Sequence, residues 1–329
     1  MGKVLRILAA LALVAVLVGA ATFYLHPLWV NDKIVDLNLR GQNVQSRYID
    51  VDGYKLHYFE GVPPARLRVM GDGMPLLLIH GLGSRGEDWS AMIPSLADAG
   101  FHVYVPDLLG YGRSPQPDVS YSIAMEEKIV VDFLKAVHVD KTDVGGWSMG
   151  GWIALKLTAD HPELVKRLVL YDAAGIYFPP TFDAALFTPN DPAGLARLSA
   201  MLSPHPKPIP DFAARAVIRR LQKNGWVIAR SFTEMASGKD LMDFRLNDVK
   251  RPTLLVWGGS DRLIPPSVAQ AMHRGIAGSS LLMVEGCGHL APSECAKPVI
   301  DGTLKFLEAH PPIVGGESAV DGTGKKTAH

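Results

Sequence analysis

The chain has 329 residues, 48% of them apolar, and its 33 basic side chains balance 33 acidic ones. That length permits one large domain or two ordinary ones with a substantial core. A net charge of zero lacks the basic stripe of a nucleic-acid binder, so no nucleic-acid partner is expected. Two cysteines, Cys287 and Cys295, are too few for a disulfide framework; two buried free thiols are expected, with a single bridge as the alternative. No Cys/His cluster has metal-ligand spacing, so no metal is expected.

Lys3 and Arg6 precede an uncharged stretch over residues 7–25, ILAALALVAVLVGAATFYL. About 20 such residues cross a bilayer core as a helix. Basic residues ahead of the run keep the N-terminus cytoplasmic and put the rest of the chain outside, on the periplasmic side in a bacterium. Tyr24 and Trp29 fall where interfacial aromatics belong. An uncleaved signal anchor over residues 1–30 is the preferred reading, because the run is long for a cleaved signal. The alternative is a secreted protein cut near Val18-Gly19-Ala20.

Residues 31–45 read as a connector. Two alternating strands come next within 46–60, with Asp52-Gly53 as the hairpin turn. A continuously apolar strand comes at 75–79, and further strands without polar alternation at 101–106, 142–147, 167–171, 253–257 and 280–284. Helices are expected over 87–99, 121–137, 149–160, 266–277 and 297–310. Apolar strands interleaved with helices indicate an α/β protein whose sheet, eight-stranded and mostly parallel, is covered on both faces. Residues 174–249 break the rhythm with two proline clusters and helical patterns at 211–222 and 227–236. They read as a helical cap inserted over the mouth of a core formed by 46–173 and 250–311. Residues 312–329, rich in Gly, Lys and Thr, read as a disordered tail.

Gly146-Trp147-Ser148-Met149-Gly150 joins the strand at 142–147 to the helix at 149–160. A serine between two glycines at this spacing fits a sharp strand-to-helix turn that lifts its hydroxyl above the sheet. The glycines are small because helix and strand crowd them. A serine hydroxyl needs a base, and His289 in Glu285-Gly-Cys-Gly-His-Leu follows the last strand. An imidazole can take the proton and return it to a leaving group. Asp261 follows the penultimate strand, where a buried carboxylate would orient that imidazole. Asp172 is its rival for that role; Asp243 and Asp248 precede the strand and do not fit.

With these elements in order, residues 44–310 resemble the α/β-hydrolase superfamily, in particular capped bacterial lipases and esterases and monoacylglycerol lipases. The resemblance implies a catalytic triad of Ser148, Asp261 and His289, in that loop order. It assigns the His80-Gly-Leu-Gly83 loop to an oxyanion hole formed by the backbone N–H groups of Leu82 and Met149. His80 is then structural, and Asp107 with residues 110–114 shapes a loop under the site. Serine at the elbow, where relatives with an aspartate nucleophile carry Asp, argues against haloalkane dehalogenase and soluble epoxide hydrolase activity.

Trp147, Trp89, Ile176, Phe178 and Phe182 are the candidate pocket residues, joined in the cap by Tyr177, Leu186, Phe187, Met201 and Leu202. An apolar mouth near a membrane suits a carboxylic ester with a hydrophobic acyl group, monoacylglycerol among them. The expected chemistry passes through an acyl-enzyme and needs no cofactor. Three alternatives stay open: hydrolysis of a C–C bond in a vinylogous diketone, cofactor-free perhydrolysis, and an inactive binding module.

Overall fold

The computed structural model describes residues 2–67, 73–309 and 314–327. Met1, the expected helix end at His310 and the expected boundary at 311–312 lie outside them. Helix α1 (Gly2–Leu25) buries no residue within the fold. It is the one helix among the described residues that is long and apolar enough to cross a membrane. At helical rise it extends about 36 Å, against a hydrocarbon core of about 30 Å.

The expected connector is a helix, α2 (Pro27–Gly41). Its proline sits in the first turn, where no amide is required. The helix buries Asp36 and Leu39, so it packs on the domain as an integral element. Its apolar residues are spread around the helix, with Trp29, Ile34 and Leu37 exposed, so no apolar stripe marks the face that docks through Asp32 and Asp36.

The sheet begins with the hairpin β1 (Val44–Val51) and β2 (Tyr54–Gly61). Asp52 and Gly53 both take positive φ, the twist a two-residue hairpin requires. Then come β3 (Met74–Ile79), β4 (Phe101–Pro106), β5 (Thr142–Trp147), β6 (Val165–Tyr171), β7 (Thr253–Gly258), β8 (Ser280–Glu285) and β9 (Glu317–Asp321). The spatial order is β1-β2-β4-β3-β5-β6-β7-β8-β9. Only β2 runs against its neighbours; all other pairs are parallel.

The ninth strand corrects both the eight-strand expectation and the disordered tail. Glu317–Asp321 pairs in parallel with β8, from Leu281↔Glu317 to Glu285↔Asp321. The open edge of β8 supplies backbone partners that the tail satisfies, although it buries only Ala319. The Asp321 carboxylate then accepts the Thr323 and Lys325 amides and closes a turn. A short strand with one buried side chain leaves almost no hydrophobic pattern to read.

Side chains alternate across the sheet. Leu77 and Ile79 join one core layer, Leu76 and Leu78 the other. The expected helix at 87–99 is split into a 3-10 turn (Gly86–Trp89) and α3 (Ile93–Asp98). Pro94 cannot sit inside a continuous helix and instead occupies the first turn of α3. Helix α4 (Ile123–Ala136) starts where Ser122 Oγ accepts the Met125 N–H at 3.2 Å. Helix α5 (Met149–Asp160) follows β5.

The segment between β6 and β7 carries α6 (Pro192–Leu202), α7 (Asp211–Lys223) and α8 (Gly225–Ala236). Of these, α6 was hidden by its prolines. Yet Asp191-Pro192 is a helix start: the Asp191 carboxylate accepts the Gly194 N–H and the proline fills the first position. Helices α9 (Pro266–Gly275), α10 (Ala291–Glu294) and α11 (Ala296–Glu308) complete the cover.

Candidate active site

In this order the chain runs outward from β3 to β4 on one side and from β5 to β9 on the other. The crevice at the carboxyl ends of β3 and β5 is therefore the switch point where open α/β sheets hold ligands. Ser148 lies there, between β5 and α5, with φ 57° and ψ −121°. That backbone is strained for any residue with a Cβ. Its surroundings hold it in place. The Ser148 N–H donates to the Tyr171 carbonyl, and its own carbonyl accepts the Gly151, Trp152 and Ala174 amides. Gly150 is required by close approach, since a Cβ there would overlap the Ile79 and His80 carbonyls.

The loop after β3 passes directly over this turn. A Cβ on Gly81 would lie 3.0 Å from the Cβ of Ser148. His80 fixes the loop from beneath. Its Nε2 must accept, because the Leu108 N–H donates to it at 3.0 Å. Its Nδ1 therefore carries the proton and donates to the Gly81 carbonyl at 2.9 Å. Complete burial lowers the pKa of this imidazole despite the nearby charge of Asp107, so it stays neutral. The same carbonyl also accepts the Ser84 N–H at 3.2 Å, which closes the loop on itself.

Asp107 supports the same loop from the end of β4. One oxygen accepts the Gly86 N–H at 2.7 Å; the other accepts His57 Nδ1 at 2.7 Å and the Arg113 N–H at 2.8 Å. Burial alone would raise its pKa, but His57 and these donors hold it below the usual range.

His289 follows β8. Its Nδ1 lies 2.8 Å from Asp261 Oδ2, while Asp261 Oδ1 accepts the Leu263 and Ile264 amides at 2.8 and 3.0 Å. The Trp147 indole N–H donates to the His289 carbonyl at 2.8 Å, tying the elbow strand to the histidine loop. The His289 N–H donates to the carbonyl of Leu202, at the end of α6, so the segment between β6 and β7 also helps to place this residue. Ser148 and His289 line the same cavity. Among the described residues no hydrogen bond joins them.

Asp172, the rival carboxyl at the end of β6, makes no hydrogen bond or ion pair with the imidazole among the described residues. It is fully buried, and its Oδ1 accepts the Gly258 N–H at 2.7 Å. Burial first, and then the charge of Asp261, push its pKa well above the ordinary carboxylate range.

Cys287 and Cys295 form a disulfide, which corrects the expected free thiols. The turn after β8 and the end of α10 bring their Cα atoms to 6.4 Å, within bridging range. His289 lies inside the closed loop.

The cavity above Ser148 has a volume of about 630 Å³. All five candidate pocket residues, Trp147, Trp89, Ile176, Phe178 and Phe182, line it, as does Leu82. Trp89 is nearly buried and meets Tyr171 edge-on at 5.3 Å, so it offers only part of its surface. Phe187 and Leu202 line it, whereas Leu186 and Met201 pack behind the wall. Phe182, Phe187 and Phe232 form an aromatic cluster with centroids 5.6–6.3 Å apart. Sequence reading missed several wall residues, among them Leu221 and Phe232 and, on α2, Asn31 and Val35. The paired acids Asp32 and Asp36, one helical turn apart and followed in the chain by Arg85 and Arg113, were the signal for that docking.

The model of the α/β hydrolase fold matches residues 74–294, more than half of the chain. The chain is an α/β-hydrolase. A solved bacterial membrane phospholipase A is 27% identical, with a TM-score of 0.76 over 94% of this chain and 98% of that one. Lipase 1 of Psychrobacter immobilis is 28% identical over 71% of this hydrolase and 77% of its own length. The 2-hydroxy-6-oxononadienedioate/2-hydroxy-6-oxononatrienedioate hydrolase of Klebsiella pneumoniae is 30% identical over 80% and 95%. The hydrolase thus has relatives named for ester-lipid cleavage and for dienoate hydrolysis, on one scaffold.

Proposed function

We propose that this hydrolase cleaves carboxylic esters with a hydrophobic acyl group, with Ser148 as nucleophile, His289 as base and Asp261 as its orienting acid. One observation carries the reading: a serine in a strained turn opens on an apolar cavity shared with an imidazole whose far nitrogen is held by a buried carboxyl. With Asp261 as carboxylate, Nδ1 of His289 donates and Nε2 is the basic nitrogen.

Ser148 Oγ attacks the ester carbonyl as Nε2 takes its proton. The carbonyl oxygen becomes an oxyanion, stabilised by the backbone N–H groups of Leu82 and Met149 by about 3 kcal/mol each. The C–O bond to the alcohol breaks, and His289 protonates the departing alkoxide. Water then attacks the acyl-enzyme, giving its proton to His289. Collapse releases the acid and returns the proton to Ser148. The phenylalanine-lined wall takes the acyl chain, gaining about 0.8 kcal/mol per buried methylene.

The catalytic domain is anchored by α1 on the outer side of the membrane. Lys3 and Arg6 ahead of the apolar run support that orientation, and a disulfide fits an oxidising compartment. Turnover of p-nitrophenyl esters of two to sixteen carbons tests the substrate class. Rates that rise with chain length and vanish in Ser148→Ala are expected. A folded protein inert toward every ester but active on a vinylogous diketone would replace this reading with C–C hydrolysis, as the Klebsiella relative's name suggests.

A further inference from the structure

The helix after the membrane span is fastened to the site by charge. Asp32 and Asp36 stand one turn apart on the same face of α2. Asp36 accepts Arg113 Nη2 at 2.7 Å, and the same nitrogen reaches the buried Glu87 at 2.5 Å. Asp32 has a wider reach. Its carboxylate accepts Arg85 through two nitrogens, at 2.7 and 3.3 Å, and Arg220 through two more, at 2.7 and 3.4 Å. The Asp32 side chain is 21% exposed and that of Arg85 19%, so solvent screens this junction only in part.

The three ends of the junction matter. Arg85 lies three residues beyond Leu82, and its own amide donates to Asp88 within the same loop. Arg220 is on cap helix α7, next to Leu221, which lines the cavity. Asn31 and Val35, the neighbours of Asp32 on α2, line it too. Helix α7 is also met by the end of α1, where Phe23 and Tyr24 pack on Phe212 at 5.6 and 5.2 Å. One carboxylate therefore joins the membrane-proximal helix, the loop over the nucleophile and the cap. Burial would raise the pKa of Asp32, but Arg85 and Arg220 hold it below the ordinary range, so it is charged at neutral pH. Its removal would leave two guanidinium groups facing one another, driving loop and cap apart as well as deleting a contact.

We propose that Asp32 is a positioning residue for ester turnover: it holds the Leu82 loop and cap helix α7 in register across α2, which makes the helix after the membrane span a working part of the site.

This inference rests on the ester-hydrolase reading, and one experiment separates the two. Full-length enzyme in detergent micelles is titrated with a fluorophosphonate, and kcat and KM per titrated site are measured with p-nitrophenyl butyrate and dodecanoate. Asp32→Ala is expected to lower kcat at least tenfold on both esters and to raise the dodecanoate KM severalfold. Asp32→Glu is expected to restore at least half of the lost kcat. Arg220→Ala, which cuts only the cap arm, is expected to raise the dodecanoate KM more than the butyrate KM. A folded Asp32→Ala enzyme with lower Tm but wild-type kcat and KM per site overturns the inference. If Asp32→Ala does not fold, an unchanged ratio of KM values in Arg220→Ala overturns it instead. Wild-type enzyme inert on both esters would sink the ester reading, and the inference with it; active wild type with unaltered variants would sink the inference alone.

Discussion

Asp172 and Asp261 are two buried carboxyls in one neighbourhood, and their surroundings divide the roles. Asp261 receives two backbone amides and the imidazole, all donors, which suit a carboxylate. Asp172 has the Gly258 and Ala291 amides beside it, but burial and the charge of Asp261 push its pKa well above the ordinary carboxylate range. Replacing Asp261 by Asn should lower kcat on the order of 10³–10⁴-fold, as loss of the orienting acid does in serine hydrolases. Asp172→Asn should leave kcat within a few fold and change the pH dependence of stability. The raised pKa means that the folded state retains a proton the unfolded chain releases. Below the ordinary carboxylate range both states are protonated and nothing is lost. As pH rises toward the folded-state pKa, wild type loses stability that a non-titrating amide does not lose. The Tm of Asp172→Asn relative to wild type should therefore climb between pH 4 and pH 8. A difference that stays flat or falls would show that Asp172 is ionised in the fold.

The loop between β8 and α11 concentrates several constraints on one imidazole: the disulfide, the Leu202 carbonyl, the Trp147 indole and Asp261. A bridge with a sequence separation of 8 removes loop-closure entropy worth about 2.5 kcal/mol. Cys287→Ser with Cys295→Ser should lower the unfolding free energy by about that amount in urea titration, and should lower kcat more than it raises KM. An unchanged kcat would mean that the other three contacts suffice to place His289. At this scale legibility was uneven. The elements that carry Ser148, Asp261 and His289 were readable because their strands lack polar alternation and lead into glycine-containing turns. The cap was readable as an interruption, but α6 was not, since proline at its first position looks like a break until Asp191 is recognised as its cap. Spacing alone gave no means to decide whether Cys287 and Cys295 pair, because that depends on how α10 folds back.

Over the whole molecule, the sequence suggests an apolar N-terminal helix, a sheet and an inserted helical segment as separate parts, and their coupling is the feature it does not reveal. Helix α2 was mistaken for a connector because ionic docking leaves little hydrophobic period, and β9 for a tail because a single buried alanine marks it. Both errors share one physical origin: each segment is ordered by partners distant in the chain, Arg85, Arg113 and Arg220 for the one and the edge of β8 for the other. The proposed triad, by contrast, sits on loops that come directly after strands, which is why the sequence alone points to Ser148, Asp261 and His289 as candidates. The most direct test of the account is covalent. Full-length enzyme is quenched in acid during turnover of a slow p-nitrophenyl ester and its peptides are mapped by mass spectrometry. The account predicts an acyl adduct on the peptide containing Ser148, lost in Ser148→Ala and strongly reduced in His289→Ala. Steady ester hydrolysis by Ser148→Ala at the wild-type rate, with no acyl adduct on the wild-type peptide, would contradict it.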